Sequence, residues 1–246
     1  MELLNRHVTI RKFKEKPVDQ ILLESILYSG TKASTTGNMQ LYSIVVTKDE
    51  KQKEKLAPLH FNQSVAKRAP VLLTFVADFN RFSKWCRNNK AIPGYDNLLS
   101  FYTASIDALL VAQNVCIAAE NLGLGICYLG TTTYNAKEII DVLELPKLTF
   151  PVTTVALGYP DETPGLTDRI PLDGVVHWEK YTDYSENRIK ELYAVKESLE
   201  SSKAFVVENQ KETLAQVYTD VRYKKADNEF FSAKMMDTLR LQGFIV

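Results

Sequence analysis

The chain has 246 residues, 45% of them hydrophobic and 24% charged, which is the composition of an ordinary globular protein built on one large domain. Thirty basic and thirty acidic residues cancel, which argues against nucleic acid as a partner; no apolar run approaches the roughly eighteen residues of a membrane helix, so no membrane partner is expected. Cys86, Cys116 and Cys127 show no C-x-x-C spacing, and no secretory signal is apparent, so a reducing cytoplasmic setting is expected.

His7 to Phe13, HVTIRKF, comes early, and Val18 to Thr31 then reads as an amphipathic helix with Ile21, Leu22, Ile26 and Leu27 on one side. Ala33 to Gln40, ASTTGNMQ, is small, polar and glycine-containing, hence a loop, and Leu41 to Thr47 is a strand of β-branched and aromatic residues. Lys48 to Lys55 is a helical segment whose charges face solvent, and Asn62 to Arg68 is a short helix. Val71 to Ala77, VLLTFVA, is apolar throughout, as a central strand buried on both faces would be. Phe79 to Lys90 is helical and stops before Pro93-Gly94.

Between Asp96 and Asn121 there is neither proline nor glycine, so one helix of about 40 Å is expected. Asp96, Ser100, Thr103, Asp107, Asn114 and Asn121 draw a narrow polar line along it, and the rest is apolar enough for a core or a subunit interface. Gly123 and Gly125 end the helix, and the short apolar run Ile126 to Leu129 leads to Gly130. Ala136 to Leu143 is a helix and Pro151 to Gly158 a strand. Asp161 to Trp178 is irregular, Tyr184 to Ser201 and Glu229 to Arg240 are helices, and Phe244 to Val246 is a short edge strand. The pattern is α+β, with few strands and many covering helices. It suggests a core of residues 1–183 with a helical extension of residues 184–246.

Several tempting motifs fail. Gly123-x-Gly125 follows a helix rather than a strand and lacks a third glycine, so it is no dinucleotide fingerprint; there is no Walker sequence, no nucleophile elbow and no metal-ligand spacing among the three histidines. If the chain is an enzyme, a bound organic cofactor supplies the reactive atom. His7, Thr9 and Arg11 alternate, so an extended segment would turn all three the same way, as a grip on phosphate or as plain surface charge. Arg169 stands alone in LTDRIPL and reads as surface by itself. Thr35, Thr36, Asn38 and Gln40 could hydrogen-bond a heterocycle or satisfy their own loop.

Taken in order, HVTIRKF, STTGNMQ before a strand, AAENLGLG followed by CYLG, and ALGYPDETPGLTDRIPL resemble the nitroreductase superfamily over roughly residues 5–180. The subgroup is that of the NADPH-dependent flavin reductases and oxygen-insensitive nitroreductases. The resemblance implies an α+β fold with a small mixed, mainly antiparallel sheet and a long helix at the interface of a homodimer that holds one FMN per subunit. It places His7, Thr9 and Arg11 at FMN contacts and Arg169 at the phosphate. Thr35, Thr36, Asn38, Gln40 and Asn62 would border the flavin ring on one side, with Tyr128, Leu129, Gly130 and Thr131 on the other. Arg11 would stabilise the reduced ring, and glycines 123, 125 and 130 would let backbone approach it. Val8 and Thr167 stand where the family has cationic residues, which implies looser FMN retention. The implied activity passes hydride from NADPH or NADH to a small-molecule acceptor (a nitro compound, quinone or flavin) by a ping-pong cycle, with no protein acid or base in the first half-reaction. Arg222, Lys224 and Lys225 are candidates for the NADPH 2′-phosphate by charge alone. Enone reduction or dehalogenation on the same fold, and a low-turnover flavin-binding protein, stand as alternatives.

Overall fold

In the computed structural model, which describes residues 1–245, the helices are α1 (Glu2–Asn5), α2 (Gln20–Gly30), α3 (Glu50–Leu56), α4 (Ser64–Arg68), α5 (Asn80–Asn88), α6 (Leu98–Asn121), α7 (Ala136–Val142), α8 (Glu186–Ser198), α9 (Glu200–Glu208), α10 (Leu214–Val217) and α11 (Lys225–Gln242). The strands are β1 (Tyr42–Thr47), β2 (Val71–Asp78), β3 (Gly125–Leu129) and β4 (Thr149–Gly158). They fall into two compact units, Met1–Gly165 with the residues from Ser232 on, and Leu166–Phe231.

The first unit holds the sheet, in the order β1-β2-β4-β3. Every pairing among the described residues is antiparallel, so the sheet is not mixed as expected. β2 lies between β1 and β4 and is buried along its whole length, as its unbroken apolar run requires. The register of β2 on β4 slips between Phe75 and Val76, where Pro151 can sit without breaking the ladder. β3, the run Gly125–Leu129, was expected only as an apolar link.

α6 begins where Asn97 Oδ1 accepts from Ser100 N at 3.0 Å. Ala108, Val111, Ala112, Val115 and Ala119 pack with β2, β4 and α2 in the main core. Its polarity runs against a simple inside–outside rule. Ser100 and Asp107 are buried, while Leu99, Tyr102, Ile106, Leu109 and Leu110 are exposed. With a mean hydropathy of 1.3 it is, by length and composition alone, apolar enough to cross a membrane, contrary to expectation, although its packed face is that of a core helix.

Two further expectations change. Lys53 is buried rather than solvated, its Nζ donating to Ala69 O at 3.0 Å and pairing with Glu50 at 2.7 Å. Phe244 and Ile245 form no strand: Phe244 N bonds Leu239 O at 2.9 Å after the turn at Gly243, and its ring packs against Phe101. Val246 lies outside the described residues.

The second unit is helical. α8 and α9 break at Leu199, whose backbone is extended, and α10 starts with a capping box between Thr213 and Gln216. Leu192, Leu214 and Val217 are its buried apolar residues within these helices.

Candidate functional site

His7–Phe13 is held extended along the edge of the first unit's sheet. Ile10 N donates to Ile126 O of β3, Lys14 N to Tyr159 O and Asp161 N to Lys12 O, each at 2.9 Å. Val8 and Ile10 pack into a core cluster, and His7, Thr9 and Arg11 take the alternate positions between and around them; Phe13 packs into the same cluster beyond that alternation. Glu162 Oε1 accepts from Arg11 N at 2.5 Å and Lys12 N at 2.9 Å. Those bonds, that of Arg11 first, hold its carboxyl below the ordinary value. The Arg11 side chain is exposed and has no hydrogen-bond or ion-pair partner among the described residues. Its charge reaches Cys127, where it opposes the burial that pushes that thiol up. His7 Nδ1 lies 2.6 Å from Glu120 Oε1 near the end of α6.

Residues 33–40 form a second wall. Asp107, buried in the middle of α6, takes Thr36 N at 2.9 Å and Thr36 Oγ1 at 3.1 Å on one carboxylate oxygen and Leu41 N at 3.1 Å on the other. Gly37, Asn38 and Gln40 adopt left-handed backbone, with φ of 54°, 56° and 55°. The Thr36 hydroxyl is therefore committed to Asp107 of α6. Gln40 Nε2 reaches Asn38 Oδ1 at 3.4 Å, its carbonyl accepts from Arg81, and the Thr35 side chain makes no hydrogen bond among the described residues.

The third wall follows β3. Tyr128 OH donates to Gln113 Oε1 of α6 at 3.3 Å, and burial pushes the phenol well above its ordinary range. Leu129 has its side chain in the core, so only its backbone is available. Gly130 is open, with nothing within 4 Å of a built Cβ. Thr131 is buried, and its Oγ1 lies 2.9 Å from His60 Nδ1. The turn carrying Asn62 is bent by two left-handed residues, Phe61 (φ 52°) and Asn62 (φ 54°), and closes with Asn62 N on Ala57 O at 2.9 Å.

Only one of the three glycines permits a close approach visible here, and it serves packing. A Cβ on Gly125 would lie 2.6 Å from Ile10 Cγ1, so this glycine lets the His7–Phe13 segment lie against β3. Gly123 is required by its φ of 79°.

Arg169 belongs to the second unit. Its guanidinium is exposed and donates to Asp168 O at 2.9 Å and to the hydroxyl of Thr167. Asp168 pairs with Lys196 at 2.8 Å, a bond that holds its carboxyl down.

Within the first unit the walls share one ruler. α6 fastens the 33–40 loop at Asp107, Tyr128 at Gln113 and His7 at Glu120. Thirteen residues of helix set these anchors over about 20 Å along its axis. Sequence reading missed Gln113, Glu120 and His60 as site residues and took Asp107 for part of a polar line. A lone carboxylate amid leucine and alanine was the available signal.

Comparison with known proteins identifies the family. The model of the nitroreductase family matches residues 4–159. The chain is 34% identical to an NADPH-dependent oxidoreductase of Staphylococcus saprophyticus over 78% of each chain. A crystal structure from Bacteroides fragilis is 55% identical, with a TM-score of 0.99 over 100% of both chains. The NADPH:FMN oxidoreductase of Vibrio harveyi, solved with NAD+, is 26% identical with a TM-score of 0.76, over 88% of this chain and 94% of that one. With more than half its length matched, the chain belongs to the nitroreductase family and is an oxidoreductase.

Proposed function

We propose that this NAD(P)H-dependent oxidoreductase binds FMN between the three walls and passes reducing equivalents to nitro compounds, quinones or flavins in a ping-pong cycle. The observation that supports the reading is the set of three anchors along α6, which hold the 33–40 loop, Tyr128 and His7 to one helix. Bound FMN supplies a ring nitrogen that accepts hydride from the nicotinamide. Arg11, exposed and unpaired, is the cation for charge that builds on the ring. His7 and Thr9 serve the phosphate, a role that the family resemblance alone extends to Arg169. Thr35, Thr36, Asn38, Gln40 and Asn62 border the ring on one side, and backbone from Tyr128 to Thr131 on the other. Val8 is packed in the core rather than cationic, which supports looser FMN retention.

The exposed row Leu99, Tyr102, Ile106 and Leu109 on α6 supports a homodimer, since single chains rarely leave so long an apolar stripe in water. Ile106→Glu should weaken self-association at least tenfold in analytical ultracentrifugation and lower FMN content with it. An unchanged dimer would place the interface elsewhere.

The central test is the visible spectrum of the purified protein, followed by NADPH and NADH without oxygen. A flavin spectrum that bleaches on mixing is expected, and a protein that stays colourless after FMN is added would sink the reading. Arg11→Ala should raise the FMN dissociation constant at least tenfold. Arg169→Ala should do the same for FMN but leave riboflavin binding unchanged, because riboflavin has no phosphate. Normal flavin content in Arg11→Ala removes that assignment.

A further inference from the structure

The turn that carries Asn62 is fastened to the segment after β3 by two side chains. Asn135 Nδ2 donates to Leu59 O at 2.7 Å, and its Oδ1 accepts from Lys234 Nζ at 2.9 Å. His60 makes the other link, with Nδ1 2.9 Å from Thr131 Oγ1. His60 is wholly buried, and its Nε2 has no hydrogen-bond partner among the described residues. Burial pushes the imidazole down to about 4, so the ring is neutral near pH 7 and carries a single N–H.

Two tautomers satisfy the short contact, and they differ in what they leave unpaired. With the proton on Nε2, Thr131 donates to Nδ1 and a strong N–H donor is stranded in the interior. With the proton on Nδ1, the N–H is used on Thr131 and only a lone pair is stranded. Unpaired buried N–H groups are rarer than under-satisfied acceptors, so the second arrangement is favoured. It has a consequence for Thr131. Its oxygen is then an acceptor, and its own proton has no acceptor among the described residues.

We infer that His60 is a positioning residue: its Nδ1–H donates to Thr131 Oγ1 and thereby frees the Thr131 hydroxyl proton for a carbonyl oxygen or ring nitrogen of the bound flavin. The tautomer is a property of the chain alone, and the second half rests on the flavin reading above.

The two halves are tested separately. Long-range proton–nitrogen spectra of the flavin-free protein, labelled with 15N-histidine, should show His60 as the Nδ1–H tautomer. An Nε2–H tautomer would overturn the inference whether or not FMN binds. For the second half, FMN affinity is measured by fluorescence quenching and the flavin midpoint potential by dye equilibration. Thr131→Val, nearly isosteric, should weaken FMN binding about tenfold and lower the potential, while Thr131→Ser should stay within about twofold of the parent. His60→Leu should match Thr131→Val in both readouts. Equal affinity and potential in Thr131→Val and Thr131→Ser would overturn the donor role. A parent protein that takes up no FMN would overturn it together with the flavin reading, leaving the tautomer result standing.

Discussion

Asp107→Ala should cost the protein about 4 kcal/mol in urea unfolding and release the 33–40 loop to proteolysis. The carboxylate accepts three hydrogen bonds, from Thr36 N, Thr36 Oγ1 and Leu41 N, in a position where it is itself buried. Bonds to a charged acceptor contribute about 1.5–3 kcal/mol each, and the amide of buried Leu41 loses its acceptor where water reaches it poorly. Gly37, Asn38 and Gln40 are left-handed between the ends that Asp107 ties down, so losing those ties frees the loop to leave this backbone conformation. Asp107→Asn distinguishes this account from a mere need for volume. An asparagine can turn its oxygen to Thr36 or to Leu41, but its amide group then faces the other N–H, donor against donor. About half the loss is expected, with FMN affinity falling in parallel if the loop borders the ring. Full stability in Asp107→Asn would show that the carboxylate is not what fixes the loop.

The sequence reveals the parts of this fold whose pattern one chain explains by itself. The apolar run of β2 is buried on both faces, and α6 is uninterrupted from its asparagine cap to the glycines beyond it. β3 escapes notice because the four residues between Gly125 and Gly130 carry no period that separates strand from linker. The polar line on α6 is read correctly as a line but wrongly placed in effect. Nothing in spacing tells which apolar face the chain covers, so a buried Asp107 and an exposed Leu99 come as findings. The alternation of His7, Thr9 and Arg11 is legible because an extended segment has a period of two. The meeting of His60 with Thr131 is not, because it joins two turns 71 residues apart through left-handed backbone that no pattern announces. Arg169 is identified by resemblance rather than by chemistry, for one arginine in a loop carries no mechanism.

The protein should lose stability on mild acidification, before its carboxylates titrate, and His60 should account for it. Burial, with no charged neighbour contributing, moves this imidazole from 6.5 down to about 4. Between those values the unfolded chain binds a proton at His60 that the folded chain refuses. Stability therefore rises with pH across the window, is complete above about 6.5, and falls as the pH drops toward 4. The separation of the two values corresponds to about 3 kcal/mol. Glu162 and Asp168, held down by the Arg11 amide and by Lys196, lose their contributions only as the pH falls through their ordinary values of 4.5 and 3.8 and below, so they do not imitate a decline that begins near 6.5. Urea unfolding at pH 7, 5.5 and 4.5 should show the decline in the parent and a flatter profile in His60→Gln, whose amide does not titrate. Parallel profiles would mean that folded His60 takes up its proton freely. In that state both ring nitrogens are donors, the choice between tautomers disappears, and Thr131 is turned outward by charge rather than by burial.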